Sequence, residues 1–357
     1  MKKFLSRAFS DTSLREQEHL ISEIIDRFVD RVGEGTVDLT HWVNLLTFDV
    51  IGKLAFGQDF HGVESGETHT WIKDILGSMS QANVSDALSR FPRISKLWLI
   101  FNRRWLANLI EAATRHQNYT IELTKRRLEE VTDRKDFMAY LLQDGSEAST
   151  IQLAAHASDF VIAGSETTAT TLAVVFYYVC QSASVKQRLV EEVRSAFTRY
   201  EDINGAAAAG LPYLHAVCLE ALRIYPPLPL ATPREVPASG AMVDGFWVPG
   251  GTIVATNPFA ACMSPSNFKD PEVFDPERWL RGPATSDILD ASRPFSFGPR
   301  SCLGRSLAWL EMNITIARLL FRYDLEMINK DLNWHAQSEM HLLWKKPSLW
   351  VRFTEAA

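Results

Sequence analysis

Along the first two-thirds of the chain the apolar positions recur with the period of a helix, not of a strand. Leu14, Ile21, Ile24, Ile25, Phe28 and Val32 form one apolar stripe, with Asp11 or Ser13 placed to cap it. A second helix is expected from Leu39 to Phe56, ending at Gly57, and further ones over 67–80, 108–131 and 136–143. The longest begins at Ser149 or Thr150 and runs to Gln181. Its middle is almost free of charge, which predicts burial on every side. Helices over 184–200 and 211–225 follow.

The pattern then changes. Residues 226–300 hold most of the prolines, together with Gly240, Gly245, Gly250 and Gly251. Short runs such as Phe246-Trp247-Val248 and Thr252-Ile253-Val254-Ala255 read as strands between turns. A last helix is expected from Leu303 to Arg322. No repeat, low-complexity tract or linker composition divides the chain, so residues 1–357 read as a single domain, mainly α with a minor β part.

Composition narrows the function classes. Hydrophobic residues make up 46% and charged residues 22%, as in ordinary globular proteins. A net charge of −6 argues against nucleic acid as a partner, because phosphate binding needs a basic surface. No run of about 20 uncharged apolar residues occurs, so no transmembrane segment is expected. Met1-Lys2-Lys3-Phe4-Leu5 has charge without an apolar run behind it and does not read as a signal peptide. None of the four cysteines lies in a C-x-x-C pair. Cys180, Cys218 and Cys262 read as buried thiols.

Cys302 has a different neighbourhood. Residues 295–304 read Phe-Ser-Phe-Gly-Pro-Arg-Ser-Cys-Leu-Gly. Gly298 and Pro299 predict a turn, and Arg300 brings a cation suited to a carboxylate. Cys302 stands where a helix is expected to begin, and the free N–H groups and positive dipole end there favour the thiolate that binds metal. Gly304 permits close approach of backbone to a flat ligand.

In the long helix, residues 163–168 read Ala-Gly-Ser-Glu-Thr-Thr. A glycine inside a helix costs about 1 kcal/mol relative to alanine, and clustered threonines are poor interior residues. A buried helix that breaks local rules points to a functional site. Ala163 and Gly164 would leave room for a ligand, the Thr167 hydroxyl can bond back to a carbonyl one turn earlier, and Glu166 is a candidate proton source. Further on, Glu220 and Arg223 share a helix face. They are followed by Ile224-Tyr225-Pro226-Pro227 and later by Pro276-Glu277-Arg278-Trp279.

These motifs, in this order, resemble those of the cytochrome P450 family. Residues 295–304 match its cysteine loop F-x-x-G-x-R-x-C-x-G at every fixed position, from Phe295 to Gly304. Residues 163–168 are similar to its oxygen-binding helix A-G-x-[DE]-T-T. Glu220 with Arg223, and Pro276 to Trp279, are similar to its E-x-x-R and P-E-R-F/W elements. The resemblance implies a cytochrome P450 fold with haem b as cofactor. Cys302 would be the axial iron ligand, thiolate being the haem ligand of this family. Thr167 and Glu166 would deliver protons. Arg300 and Arg234 would meet the haem propionates, with Phe295 and Gly304 in the haem-binding loop. Glu220, Arg223 and Arg278 would form a buried network bracing the haem core.

It further implies a monooxygenase inserting one oxygen atom from O2 into an apolar small molecule, of a type similar to fungal microsomal members that act in secondary metabolism. Electrons would come from an NADPH-dependent reductase, at the surface of the endoplasmic reticulum membrane. Substrate is expected against Phe160, Ala163 and 229–232. Residues 91–106, where aromatics stand beside Lys and Arg, suit peripheral membrane contact. Met1 to Ser10 resembles the segment after the family's third helix. The family's membrane anchor, part of its sheet and its first helices are therefore expected to be missing from this chain. Two other readings remain open: a haem-thiolate isomerase or dehydratase, and a non-catalytic remnant.

Overall fold

A computed structural model of the chain describes residues 8–33, 35–130, 132, 136–143 and 149–356, with backbone alone at 76, 78–83, 85–87, 141–143 and 283. The opening Met1 to Leu5 and the last residue of the helix expected over 108–131 lie outside the described residues.

Two helices apolar on all sides set the centre. Helix α1, Asp11–Val32, precedes the short strand β1, Thr36–Asp38, which leads into α2, Leu39–Phe56. Helix α2 buries side chains around its whole circumference, so it must be surrounded. It lies along the longest helix, Thr150–Gln181, which is buried through most of its length. Between them in sequence come α3, Gly62–Ser65, α4, Thr70–Arg90, α5, Pro92–Phe101, α6, Arg103–Glu129, and α7, Phe137–Gln143; the long helix is thus α8. By length and composition alone α8 is long and apolar enough to cross a membrane, but most of that apolar stretch is buried inside the protein, as in a core helix.

Local signals place the helix ends. Ser10 caps α1 by accepting from the Ser13 amide at 3.2 Å, so the cap lies one residue before Asp11, and Ser13 is a first-turn residue. Asp38 caps α2 and also accepts from the Leu349 amide, tying the cap to the C-terminal segment. Gly57 closes α2 in the left-handed conformation at φ 69°. Ser149 and Gln152 form a reciprocal capping box on α8. The helix expected over 67–80 extends to Arg90, because no breaker occurs before Pro92. The helix expected over 184–200 stops at Ala196, where Phe197 turns extended.

Helices α9, Ala183–Ala196, α10, Gly205–Ala209, and α11, Pro212–Ile224, follow. Then come the strands β2, Arg234–Glu235, β3, Ala241–Val243, β4, Phe246–Val248, and β5, Ile253–Val254, and the short helix α12, Pro258–Cys262. Helix α13, Arg305–Arg322, packs on α1, α9 and α10. The chain ends in β6, Tyr323–Met327, β7, Glu339–Met340, β8, Trp344–Lys345, and β9, Trp350–Glu355. An antiparallel sheet of order β1-β9-β6 pairs Val37 with Val351 and Leu325 with Phe353. Two-stranded antiparallel pairs β2-β5, β3-β4 and β7-β8 complete the β part. The architecture is mainly α with a minor β part, as expected.

Candidate functional site

The loop before α13 is built around Cys302. Ser296 at φ 54° and Gly298 at φ 66° both lie in the left-handed region. Gly298 then opens a tight 3-10 turn over Gly298–Arg300. The Ser301 amide donates to the Gly298 carbonyl at 3.0 Å, and the Cys302 amide donates to the Phe295 carbonyl at 2.8 Å. These two bonds close the loop and fix the Cys302 backbone while its side chain stays exposed. The helix proper starts at Arg305 with Gly304 as its cap, so Cys302 stands three residues before it, not at its first turn. The positive end of the α13 dipole still lies behind the loop. A Cβ on Gly304 would come no closer than 3.9 Å to the Phe9 ring. Phe295 is half-buried, 5.9 Å from the Trp309 ring, with the Arg305 guanidinium also 5.9 Å away. Arg300 and Arg234 are exposed and form no ion pair among the described residues. Arg234 donates to the Pro233 carbonyl at 2.8 Å.

The other cysteines are different. Burial pushes the Cys218 thiol up to about 12 and the Cys180 thiol up to about 11. Burial also raises Cys262. A buried thiol without a counter-charge stays protonated and inert, which leaves Cys302 as the cysteine with access to a ligand.

On α8, the Thr167 hydroxyl donates to the Ala163 carbonyl at 2.8 Å, the backward bond expected from the sequence, and the helix continues unbroken through it. Ala163 is exposed and Thr167, one turn further on, is half-buried. Gly164 has a packing role. A Cβ there would stand 3.0 Å from Cδ1 of Ile51, so this glycine lets α2 and α8 approach closely. Glu166 is buried and paired with the equally buried Lys346, whose Nζ also donates to the Thr170 hydroxyl at 3.0 Å. No hydrogen bond joins Glu166 to Thr167 among the described residues. Neighbours on a helix face directions about 100° apart, so an adjacent acid and alcohol do not meet by default. Phe160 packs edge-on in a buried trio with Phe9 and Phe137, at 5.1 and 5.7 Å between centroids.

The structure brings Glu220, Arg223 and Arg278 into one buried cluster. Arg223 grips the Glu220 carboxylate with Nε and Nη2, at 2.9 and 2.8 Å. Arg278 Nε donates to the same carboxylate at 3.0 Å. The sequence reading missed three participants. Trp279 donates its indole N–H to Glu220 at 2.9 Å, the Asp275 amide donates at 3.0 Å, and Asp287 takes the far side of Arg278 at 2.5 Å. Arg223 Nη1 also donates to the carbonyls of Cys262 and Pro271, and Nη2 to that of Val273. Phe268 lies under both guanidinium groups, at 5.1 and 5.9 Å. Nothing in the local sequence marks Asp287, since it arrives through a loop.

Comparison with known proteins gives the same picture as these motifs. The family model described as "Cytochrome P450" matches residues 1–353. The chain is 48% identical over 342 residues to the cytochrome P450 monooxygenase ORF11 of Penicillium roqueforti, an alignment covering 93% of this chain and 70% of that protein. It is 39% identical over 364 residues to the cytochrome P450 monooxygenase astJ of Aspergillus oryzae, covering 98% of this chain and 72% of that one. The crystal structure of the cytochrome P450DA haem domain superposes with a TM-score of 0.83 at 19% identity, over 100% of this chain and 77% of that one. A family match over almost the whole chain, close relatives and a shared fold lead to one conclusion: the chain belongs to the cytochrome P450 family.

Proposed function

We propose that this chain is a haem-thiolate monooxygenase that oxidises an apolar small molecule in secondary metabolism, with Cys302 as the iron ligand. The family and fold imply a haem held by a cysteine thiolate. The residues present fit it. Of the four cysteines only Cys302 is exposed, and its loop is tied by two backbone bonds. Ala163, on the oxygen-binding motif, is an exposed small residue in the middle of α8, which would leave a flat ligand room to approach that helix. Arg300 and Arg234 are exposed cations that suit propionates. When bound, haem supplies the iron centre at which O2 is activated.

The protein's own residues do the rest. Cys302 carries the thiolate charge. Thr167 Oγ1, anchored on the Ala163 carbonyl, is placed to hold a proton beside the ligand surface. Glu166, one residue away, is the carboxyl that would recharge it. Glu220, Arg223 and Arg278 lock α11 to the segment before the cysteine loop and so support it from below. Relatives named as monooxygenases at up to 48% identity support the reaction class.

Electrons would come from an NADPH-dependent reductase. Helix α5 supports peripheral contact with the endoplasmic reticulum membrane. Phe91, Ile94, Leu97, Ile100 and Phe101 are all more than half exposed on or beside it, with Arg90, Arg93 and Lys96 among them.

The exposed, backbone-tied Cys302 carries this reading. It is tested by the absorption spectrum of the reduced protein under carbon monoxide. The red-shifted band of thiolate ligation is expected in the parent and lost in Cys302→Ser. If haem-loaded Cys302→Ser keeps that band, another residue is the ligand.

A further inference from the structure

A buried ammonium is costly and persists only beside a counter-charge. Lys346 is such a group. It follows β8, is 2% exposed at its side chain, and spends its charge on Glu166, itself 7% exposed. Its backbone is held on both sides: Trp344 donates its indole N–H to the Pro226 carbonyl at 2.8 Å and stacks on Tyr225, and Thr40 donates to the Pro347 carbonyl at 2.9 Å. The cation is therefore delivered to one place on α8 by a clamped segment 180 residues further along the chain.

On α8, Glu166 and Thr170 are one turn apart and share the face that Lys346 covers. Ala163 and Thr167 are likewise one turn apart and share a more exposed face, about 100° around the axis. Only one oxygen of Glu166 is engaged. The other, Oε2, is buried with no hydrogen-bond partner among the described residues. An acid that must serve the Thr167 face is thus held on a different face by a lysine, with one oxygen uncommitted.

We propose that Lys346 is a positioning residue for Glu166. Its ammonium holds the carboxylate on the helix face shared with Thr170, and Glu166 serves Thr167 by leaving it. This rests on the reading of Glu166 and Thr167 as proton-delivery residues and adds a part that the Glu-Thr motif does not contain.

Four variants test it: Lys346→Met, Lys346→Arg, Glu166→Gln and the double variant Lys346→Met/Glu166→Gln. Infrared spectroscopy at neutral pH, with or without haem, is expected to show a protonated carboxyl band in Lys346→Met. That band should be absent from the parent, from Lys346→Arg and from the double variant, because a buried carboxylate stripped of its counter-charge takes up a proton.

With a reductase and an ethoxycoumarin probe, peroxide released per NADPH should rise on the order of tenfold in Lys346→Met. That is part of the hundredfold or more that positioned proton transfer contributes. It should return to within about twofold of the parent in Lys346→Arg. An unchanged peroxide share in Glu166→Gln would sink the proton-delivery reading itself. A raised share in Glu166→Gln with an unchanged share and no new band in Lys346→Met would sink only the role of Lys346. If Lys346→Met fails to fold, Lys346→Gln takes its place. Should both fail and Glu166→Gln restore the fold, the pair is structural and the inference is overturned.

Discussion

Single residues here show how burial decides chemistry. Asp49 on α2 is 1% exposed and accepts the amides of Gly62 and Val63 at 3.1 and 2.8 Å. Desolvation outweighs these two bonds and Arg27, so its carboxyl is pushed up to about 6. A carboxyl raised on folding contributes stability at low pH, in full below the unfolded value near 3.8, and loses it as pH rises through about 6. That shift is worth about 3 kcal/mol. Chemical denaturation should therefore find the parent losing about 3 kcal/mol relative to Asp49→Asn between about pH 4 and pH 7. A pH-independent difference would mean that the carboxyl is not desolvated as the structure has it.

At the scale of elements, two contacts hold the site's scaffold together. The first is the approach of α2 to α8 at Gly164. Gly164→Ala gains about 1 kcal/mol of helix propensity but drives a Cβ to 3.0 Å from the buried Ile51 side chain. Ile51→Val removes the nearest atom, so the cost of Gly164→Ala should be smaller by about 1 kcal/mol in the Ile51→Val background. A double-mutant cycle from thermal melts that shows strict additivity would remove this contact from the account. The second is the Glu220 cluster, which joins α11 to the 3-10 turn at Pro276–Trp279. Glu220→Ala leaves two buried guanidinium groups facing each other, and breaking such a network typically costs about 3–5 kcal/mol. Since that is a large part of a domain's stability, little soluble, haem-loaded protein is expected. A Glu220→Ala variant that melts with the parent would show the cluster to be dispensable.

Over the whole molecule, apolar surface is distributed unevenly. Helix α5 buries none of its residues, while α2 and α8 bury most of theirs. If α5 lies on a membrane, Ile94→Asp and Leu97→Asp together should weaken binding to vesicles of mixed neutral and anionic lipid on the order of a hundredfold, at about 1.5 kcal/mol for each lost side chain. Flotation of the double variant equal to the parent's would assign α5 another role.

Much of this was legible in the chain before it folded. The helical stripes, the boundaries of α2 and α8, the strand at Phe246–Val248 and the four motifs follow from local rules. A helix satisfies its backbone within itself, and its period is written in consecutive residues. The sheet of β1, β6 and β9 was not predicted, although Tyr323–Met327 and Trp350–Glu355 alternate buried and exposed positions. Strands are satisfied only by partners far along the chain, and Val37 finds Val351 across the whole protein.

The site divides the same way. The sequence by itself singled out the residues proposed to carry the chemistry: Cys302 in its loop, Thr167 on a backward bond, and Glu220 spaced to meet Arg223. Tertiary structure alone decided what surrounds them. Glu166 faces Lys346 and not Thr167, Gly164 serves helix packing, Phe160 belongs to the core, and Asp287 completes the arginine cluster. Each of these depends on which distant segment is packed against a given helix face. That is settled by burial of the whole chain and by the need to pair every buried charge, neither of which any local pattern encodes.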